Sequence, residues 1–190
     1  MVIAGAGRAG ARAAIAFREE GYQGPVTLIG DEALAPYDRP PLSKAAICED
    51  GAQAPVLLLD EDTMASLKVT FLGGTAVREI DRAAQRLKLA DGRTVAYDRL
   101  LLATGAAPRK LTLPGAERAL TLRDQRDAEA LRQAFAPGAT VAIIGGGFIA
   151  LEFASMLARL GVAVSLFSRA RLPLRGFDED LRTRVAAALQ

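Results

Sequence analysis

Gly5, Gly7 and Gly10 stand in G-x-G-x-x-G spacing in "GAGRAG", directly after the apolar run that opens the chain. Such a turn closes backbone N–H groups and a helix N-terminus around a pyrophosphate. Its first glycine permits the tight turn, its second lets backbone approach phosphate, and its third lets the helix pack close to the strand. The candidate contacts are therefore Gly5, Ala6, Gly7, Arg8, Ala9 and Gly10. A second turn of this kind, "GGGFIA", supplies Gly145, Gly146, Gly147, Phe148, Ile149 and Ala150. Alanine is an accepted third member of the pattern. A lone glycine-rich turn often exists only for packing. Two of them, each set between strand and helix, point instead to two bound dinucleotides.

The acidic and basic residues beyond each turn refine this. Asp31, next to Glu32, ends the second apolar run, where a carboxylate can bind ribose hydroxyls. The corresponding run after the second turn ends in "FSRARLPLR", with Ser168 in the acidic place and Arg169, Arg171 and Arg175 after it. Arginines there suit a 2′-phosphate through charge-assisted hydrogen bonds, which favours NADPH over NADH. The competing reading is a solvated basic loop.

Composition narrows the chemistry further. The 190 residues carry 24 Lys plus Arg against 22 Asp plus Glu, a balance that gives no support to a nucleic-acid or membrane-surface partner. There is no histidine, so neither a histidine-based triad nor an imidazole metal ligand is available, and no metal site is expected. The single cysteine, Cys48, excludes an internal disulfide and reads as a structural thiol. The apolar stretch from Val141 to Phe167 contains Glu152, Arg159 and three consecutive glycines, which fits a buried strand–helix–strand better than a membrane span. A cytoplasmic location is the default. Hydride chemistry without a catalytic histidine belongs to cofactors, and the natural pair for two such turns is FAD with NAD(P)H.

The elements that must position these residues follow from periodicity. "MVIAG", the helical "RAGARAAIAFREEG" and "PVTLIG" make one strand–helix–strand unit. "ATVAIIGG", "GFIALEFASMLARLG" and "VAVSLFS" repeat it. Between them, "DEDTMASL" reads as a short helix. "VTFLGG", "TAVREID", "QRLKLADG" and "RTVAYD" read as small antiparallel strands, with Asp91 and Gly92 at a hairpin turn. "RLLLATG" returns to a fully apolar strand ending in small residues, "RDQRDAEALRQAF" to a helix, and "DEDLRTRVAAALQ" begins another. The expected class is α/β, with two Rossmann-like dinucleotide-binding domains over residues 1–110 and 111–190, the second incomplete. The loop "APYDRPPLSK", with three prolines, is expected to be neither helix nor inner strand, while "LSKAAI", which begins at its end, reads as a helical turn. Alone, it reads as a rigid connection; Lys44 within it as a solvated lysine; Arg109 as a surface residue.

In order and spacing, "GAGRAG", "GDEALAPYDRPPLSK", "LLATGAAPR" and "GGGFIALE" resemble the pyridine nucleotide-disulfide oxidoreductase superfamily. Within it, the likeness is to the ferredoxin reductase branch, which includes putidaredoxin reductase, the ferredoxin reductases of dioxygenases and apoptosis-inducing-factor-like proteins. The resemblance implies that the proline loop lies along a flavin, with Arg39 and Lys44 facing it. It further implies that Asp31 binds the adenosine ribose of FAD, that Val77 meets the adenine, and that Ala103, Thr104, Gly105 and Arg109 line the cofactor. Glu152, costly to bury unpaired within "FIALEFASML", would pair with Lys44 near flavin N5, and the two would serve hydride transfer electrostatically. The implied partner is a small iron–sulfur protein such as a [2Fe–2S] ferredoxin.

Two departures accompany the resemblance. "FSRARLPLRGFD" follows glutathione reductases, whose arginines at the positions of Arg169 and Arg175 hold the NADPH phosphate, whereas the paired redox cysteines of disulfide reductases are missing. Family members also run to greater length, so the chain is expected to be an N-terminal fragment, itself inactive. An apoptosis-inducing-factor-like binding role and a non-functional fragment are the alternatives.

Overall fold

Side chains alternate faces along a strand, and the first strand, β1 (Val2–Ala4), divides its burial accordingly: Ile3 faces one layer, Val2 another. β1 pairs in parallel with β2 (Val26–Ile29) on one side and β7 (Leu100–Leu102) on the other; β2 in turn pairs with β3 (Val69–Leu72), giving the order β3-β2-β1-β7. The structure, a computed structural model, describes residues 1–44, 54–135 and 138–189. Cys48 lies outside them.

The chain forms two units, one of Met1–Asp38 with Pro55–Ala107 and one of Arg39–Ala54 with Pro108–Gln190. In the first, helices α1 (Arg8–Glu19) and α2 (Glu61–Ser66) cover one face of the parallel sheet. Ala11, Ala14 and Met64 pack there on Ile3, Val26, Leu28 and Val69. The small buried residues Gly10, Ala11 and Ala14 let α1 lie close to the strands. The opposite face is covered by an antiparallel sheet of β4 (Val77–Asp81), β5 (Arg86–Leu89) and β6 (Thr94–Ala96), whose Leu87 and Leu89 pack on Val2 and Ile29. The hairpin turn at Asp91–Gly92 is present, with Gly92 at φ 89°.

One expectation is corrected. By sequence "VTFLGG" belongs with the small antiparallel strands, but Val69–Leu72 pairs in parallel with β2. Its short apolar run carries no information about direction. The preceding helix α2 supplies the crossover that a parallel pairing requires.

In the second unit, β8 (Thr140–Ile144) and β9 (Ala163–Phe167) form a parallel pair joined by helix α4 (Phe148–Arg159). Helices α3 (Gln125–Ala134) and α5 (Glu179–Ala188) complete it. Its buried residues include Ala128, Leu131, Phe153, Met156 and Leu157, with the Phe135 ring edge-on to Phe153. Both strands alternate exposed and half-buried residues, whereas β1 and β2 are buried almost throughout.

Candidate functional site

The first glycine turn lies between β1 and α1, and its three glycines answer to different constraints. A Cβ on Gly5, which holds φ 117°, would stand 2.1 Å from the Ala103 carbonyl oxygen; one on Gly10 would stand 1.9 Å from that of Gly5. Both are steric necessities of the chain. Gly7 is not. Its φ of −83° and ψ of −169° suit any residue, and a Cβ there meets nothing within 4 Å. What glycine preserves at this position is open space before the helix N-terminus. Gly147 repeats the arrangement, with φ −91°, ψ −176° and nothing within 4 Å.

Helix capping separates these two positions from the rest. Asp60, Asp124 and Asp178 cap α2, α3 and α5, each accepting backbone N–H bonds. No side chain caps α1 or α4, and neither has an acidic residue in its first turn. Their leading N–H groups and positive dipole ends stay available to an anion. An open cradle with uncapped donors fits a dinucleotide pyrophosphate in each unit.

Around the first turn, Ala6 is half-buried and Arg8 and Ala9 are exposed. Arg8 donates to Asp38 at 2.5 Å, tying the turn to the proline loop. The Ala103 N–H donates to the Ala4 carbonyl at 2.8 Å, so the end of β7 walls the turn; Thr104 and Gly105 follow, exposed. Asp31 is exposed, while Glu32 accepts a 2.6 Å hydrogen bond from the hydroxyl of Tyr37. Backbone bonds from Gly74 to Glu32 and from Thr75 to Gly30, both 3.0 Å, bring the start of β4, and with it Val77, beside the exit of β2. Val77 is half-buried against the cluster of Val2, Ile29, Leu87 and Leu89.

The proline loop is fixed from several directions. Tyr37 is 3% exposed and forms an antiparallel bridge to Leu57. The Asp38 N–H donates to the Val56 carbonyl and that of Leu58 to Pro36. Pro40–Ser43 then make a single 3₁₀ turn, which starts earlier than the turn expected at "LSKAAI", whose residues 45–47 lie outside the described ones: proline is acceptable at the first position of a helical turn, where its missing N–H costs nothing.

In the second unit, Arg39 donates to the Arg123 carbonyl at 3.1 Å. Arg109 is exposed. Glu152 lies on α4 with two neighbours from the 3₁₀ turn. Ser43 Oγ is 2.8 Å from its Oε2, and Lys44 Nζ is 3.8 Å from its Oε1. The expected Lys44–Glu152 pair is thus present, but the carboxylate is 41% exposed and the lysine 62%. Glu152 is half-buried and not enclosed by its apolar helix, so desolvation alone does not force the pairing. An exposed pair of this length contributes at most about 1 kcal/mol to stability. The serine hydroxyl is the shorter contact and holds the carboxylate's orientation. Nothing in the sequence distinguishes Ser43. Its position beside Lys44 in "PPLSK" gave no signal that it would reach across 109 positions.

Around the second turn, Gly145 holds φ 143°, and a Cβ on it would meet only Ala150 Cβ, at 3.7 Å. A Cβ on Gly146 would stand 2.8 Å from Ser168 Oγ, so this glycine admits the β9 exit. Phe148 and Ile149 are largely exposed; the Phe148 ring meets Phe177 edge-on at 5.5 Å. Arg169, Arg171 and Arg175 are exposed, and no ion pair engages them among the described residues. Among the described residues, no group of three or more His, Cys, Asp or Glu could hold a metal ion, and no helix is long and apolar enough to cross a membrane.

This α/β architecture with a dinucleotide cradle in each unit has known counterparts. The family model for pyridine nucleotide-disulphide oxidoreductases matches residues 1–190, and the chain belongs to that family. Within it, the chain falls in the ferredoxin reductase branch. It is 39% identical to rhodocoxin reductase of Rhodococcus erythropolis, over 92% of this chain and 41% of that protein. It is 42% identical to the ferredoxin–NAD(+) reductase component of the biphenyl dioxygenase system of Paraburkholderia xenovorans, over 87% of this chain and 41% of that protein. Among solved structures, the covalent putidaredoxin reductase–putidaredoxin complex matches with a TM-score of 0.91 at 34% identity, covering 99% of this chain and 46% of that one. The chain therefore spans less than half the length of the relatives it matches.

Proposed function

We propose that this chain carries the nucleotide-binding part of an FAD-dependent NAD(P)H oxidoreductase that delivers electrons to a small iron–sulfur protein of the [2Fe–2S] ferredoxin type, in the cytoplasm. The observation that carries the reading is the contrast in helix starts. Every α-helix among the described residues has an aspartate cap except the two that follow Gly7 and Gly147. The rhodocoxin and ferredoxin for which the relatives are named support the acceptor class.

Bound FAD supplies hydride acceptance and single-electron release. The protein's own residues bind and orient. The Gly5–Gly10 turn receives the FAD pyrophosphate, Asp31 the ribose hydroxyls and Val77 the adenine. Ala103, Thr104, Gly105, Arg39 and Arg109 line the cofactor. The Gly145–Ala150 turn receives the pyrophosphate of the nicotinamide nucleotide. Lys44 places a cation where negative charge develops, Glu152 holds the lysine, and Ser43 holds Glu152.

The nucleotide is NADPH in preference to NADH. Relatives carry NAD(+) in their names, but this chain offers Ser168 and three arginines at the β9 exit, a set suited to a doubly charged phosphate. Anaerobic titration of the flavin-loaded full-length protein tests both levels. NADPH should bleach the flavin band near ~450 nm, and Arg169→Glu should raise KM for NADPH far more than for NADH. No bleaching by either nucleotide removes the oxidoreductase reading; equal effects on the two KM values remove the NADPH preference.

A further inference from the structure

The segment between β9 and α5 carries Arg169, Arg171 and Arg175, yet it is not a free basic loop. Ser168 Oγ accepts the Ala170 N–H at 3.2 Å, opening it with a tight turn. The Leu174 N–H donates to the Gly146 carbonyl at 2.7 Å, fastening it to the second glycine turn. Phe177 closes it against Phe148. Leu174 is held at φ 54°, a left-handed conformation that costs a non-glycine residue about 1–2 kcal/mol, so its surroundings must over-determine it.

One side chain supplies much of that constraint. Arg182, half-buried on α5, donates from Nε to the Pro173 carbonyl at 2.8 Å and from Nη2 to the Leu172 carbonyl at 3.0 Å. α5 is itself set in place by Asp178, which caps it. The planar fork of a guanidinium reaches two successive carbonyls at fixed angles, which an ammonium cannot reproduce. The clamped residues lie between Arg171 and Arg175. The backbone that carries Arg171 and Arg175 is thereby fixed, and no acid among the described residues neutralises the three cations: Asp178 is occupied as a cap, and Glu179 and Asp180 pair with none of them. A backbone fixed before a ligand arrives loses less freedom on binding it.

We infer that Arg182 is a positioning residue for nucleotide specificity: by clamping Leu172 and Pro173 it preforms, from Arg169, Arg171 and Arg175, the site for the 2′-phosphate that distinguishes NADPH from NADH. This rests on the NADPH preference proposed above. The test measures, by calorimetry on the flavin-loaded full-length protein, the dissociation constants of adenosine 2′,5′-bisphosphate and of 5′-AMP, together with the KM ratio of NADH to NADPH. The wild type should prefer the 2′-phosphorylated ligand. Arg182→Ala, and Arg182→Lys should alanine not fold, should each lower that preference about tenfold, the worth of a lost hydrogen bond to a charged group. A fall in affinity equal for both ligands, or an unchanged preference, overturns the role given to Arg182 while the NADPH reading stands. A wild type that does not discriminate overturns the NADPH reading and this inference with it.

Discussion

The two glycine cradles share a spacing and differ in what presses on them. In the first, β1 has a strand on each side; the end of β7 walls Gly5, the Gly5 carbonyl and Leu28 of β2 wall Gly10, and neither glycine can accept a methyl group. In the second, β8 pairs among the described residues with β9 alone, Gly145 has only the Ala150 methyl nearby, and the third position already carries that methyl. The pressure there falls on Gly146, against Ser168 and Pro173. Only the middle glycine is the same in both. One sequence pattern thus combines two requirements: packing at its first and third positions, set by the surrounding sheet, and open space for a ligand at its second.

The largest expected effect tests the packing half. Gly10→Ala must push backbone against backbone, and should cost about 3 kcal/mol, lowering Tm by roughly 10 °C. The reverse change at the equivalent place, Ala150→Gly, should cost only the ~1 kcal/mol of helix propensity. Thermal melts of both variants measure the contrast. Similar losses at the two sites would mean that the cradles are packed alike, and the comparison would fail.

Next in size is the ligand half. Gly7→Ala and Gly147→Ala meet no neighbour, so Tm should move by no more than about 3 °C in either. Gly7→Ala should nevertheless reduce the flavin retained on purification. Gly147→Ala should leave flavin content as it is and weaken NAD(P)H binding by about tenfold or more. Flavin absorbance per protein and a nucleotide titration separate the two. If Gly147→Ala lost flavin, the assignment of one dinucleotide to each unit would be broken.

How much of this was open to a reader of the sequence depends on whether the cause is local. Both cradles, the hairpin at Asp91–Gly92 and the helices at Arg8–Glu19 and Phe148–Arg159 follow from spacing and periodicity within short windows, and could be placed at once. The partner of Val69–Leu72 could not, since a four-residue apolar strand looks alike in either direction. Nor could the hydroxyl that reaches Glu152, or the Arg182 clamp, because each joins residues whose proximity only the fold creates. The incomplete burial of Glu152 is hidden from the sequence for a related reason. An apolar helix reads as buried, but the covering of each face is settled by neighbours outside the helix.

Ser43 offers a finer probe of the second unit, at a point away from its cradle. Two acceptors are near its hydroxyl, the Glu152 carboxylate at 2.8 Å and the Pro40 carbonyl at 3.4 Å, and its single proton goes to the closer, charged one. Ser43→Ala should leave Tm and the affinity for NAD(P)H nearly unchanged. It should slow flavin reduction in stopped flow by roughly threefold to tenfold, with Ser43→Thr restoring the rate. A variant that weakens nucleotide binding while the limiting reduction rate holds would place Ser43 with the cradle, not with the lysine.

The smallest effect is confined to the first unit and should touch neither cradle. Asp91 accepts the Arg93 side chain through Oδ2 at 2.8 Å and the Arg93 backbone N–H through Oδ1 at 3.0 Å. The guanidinium bond, with the backbone bond second, holds the carboxyl at about 2 against an ordinary 3.8. A depressed folded value means that the unfolded chain takes up the proton first as the pH falls. The turn's contribution is therefore complete above about pH 4 and is lost towards pH 2. Asp91→Asn keeps an acceptor for the backbone N–H and gives up the charge. Its melting curve should lie slightly below the wild type at neutral pH and converge with it near pH 2, with flavin content and nucleotide affinity unaltered throughout. A gap that stayed constant across that range would show that the carboxylate's charge does not act through this turn, and a loss of flavin would show that the antiparallel sheet and the first cradle are not separable after all.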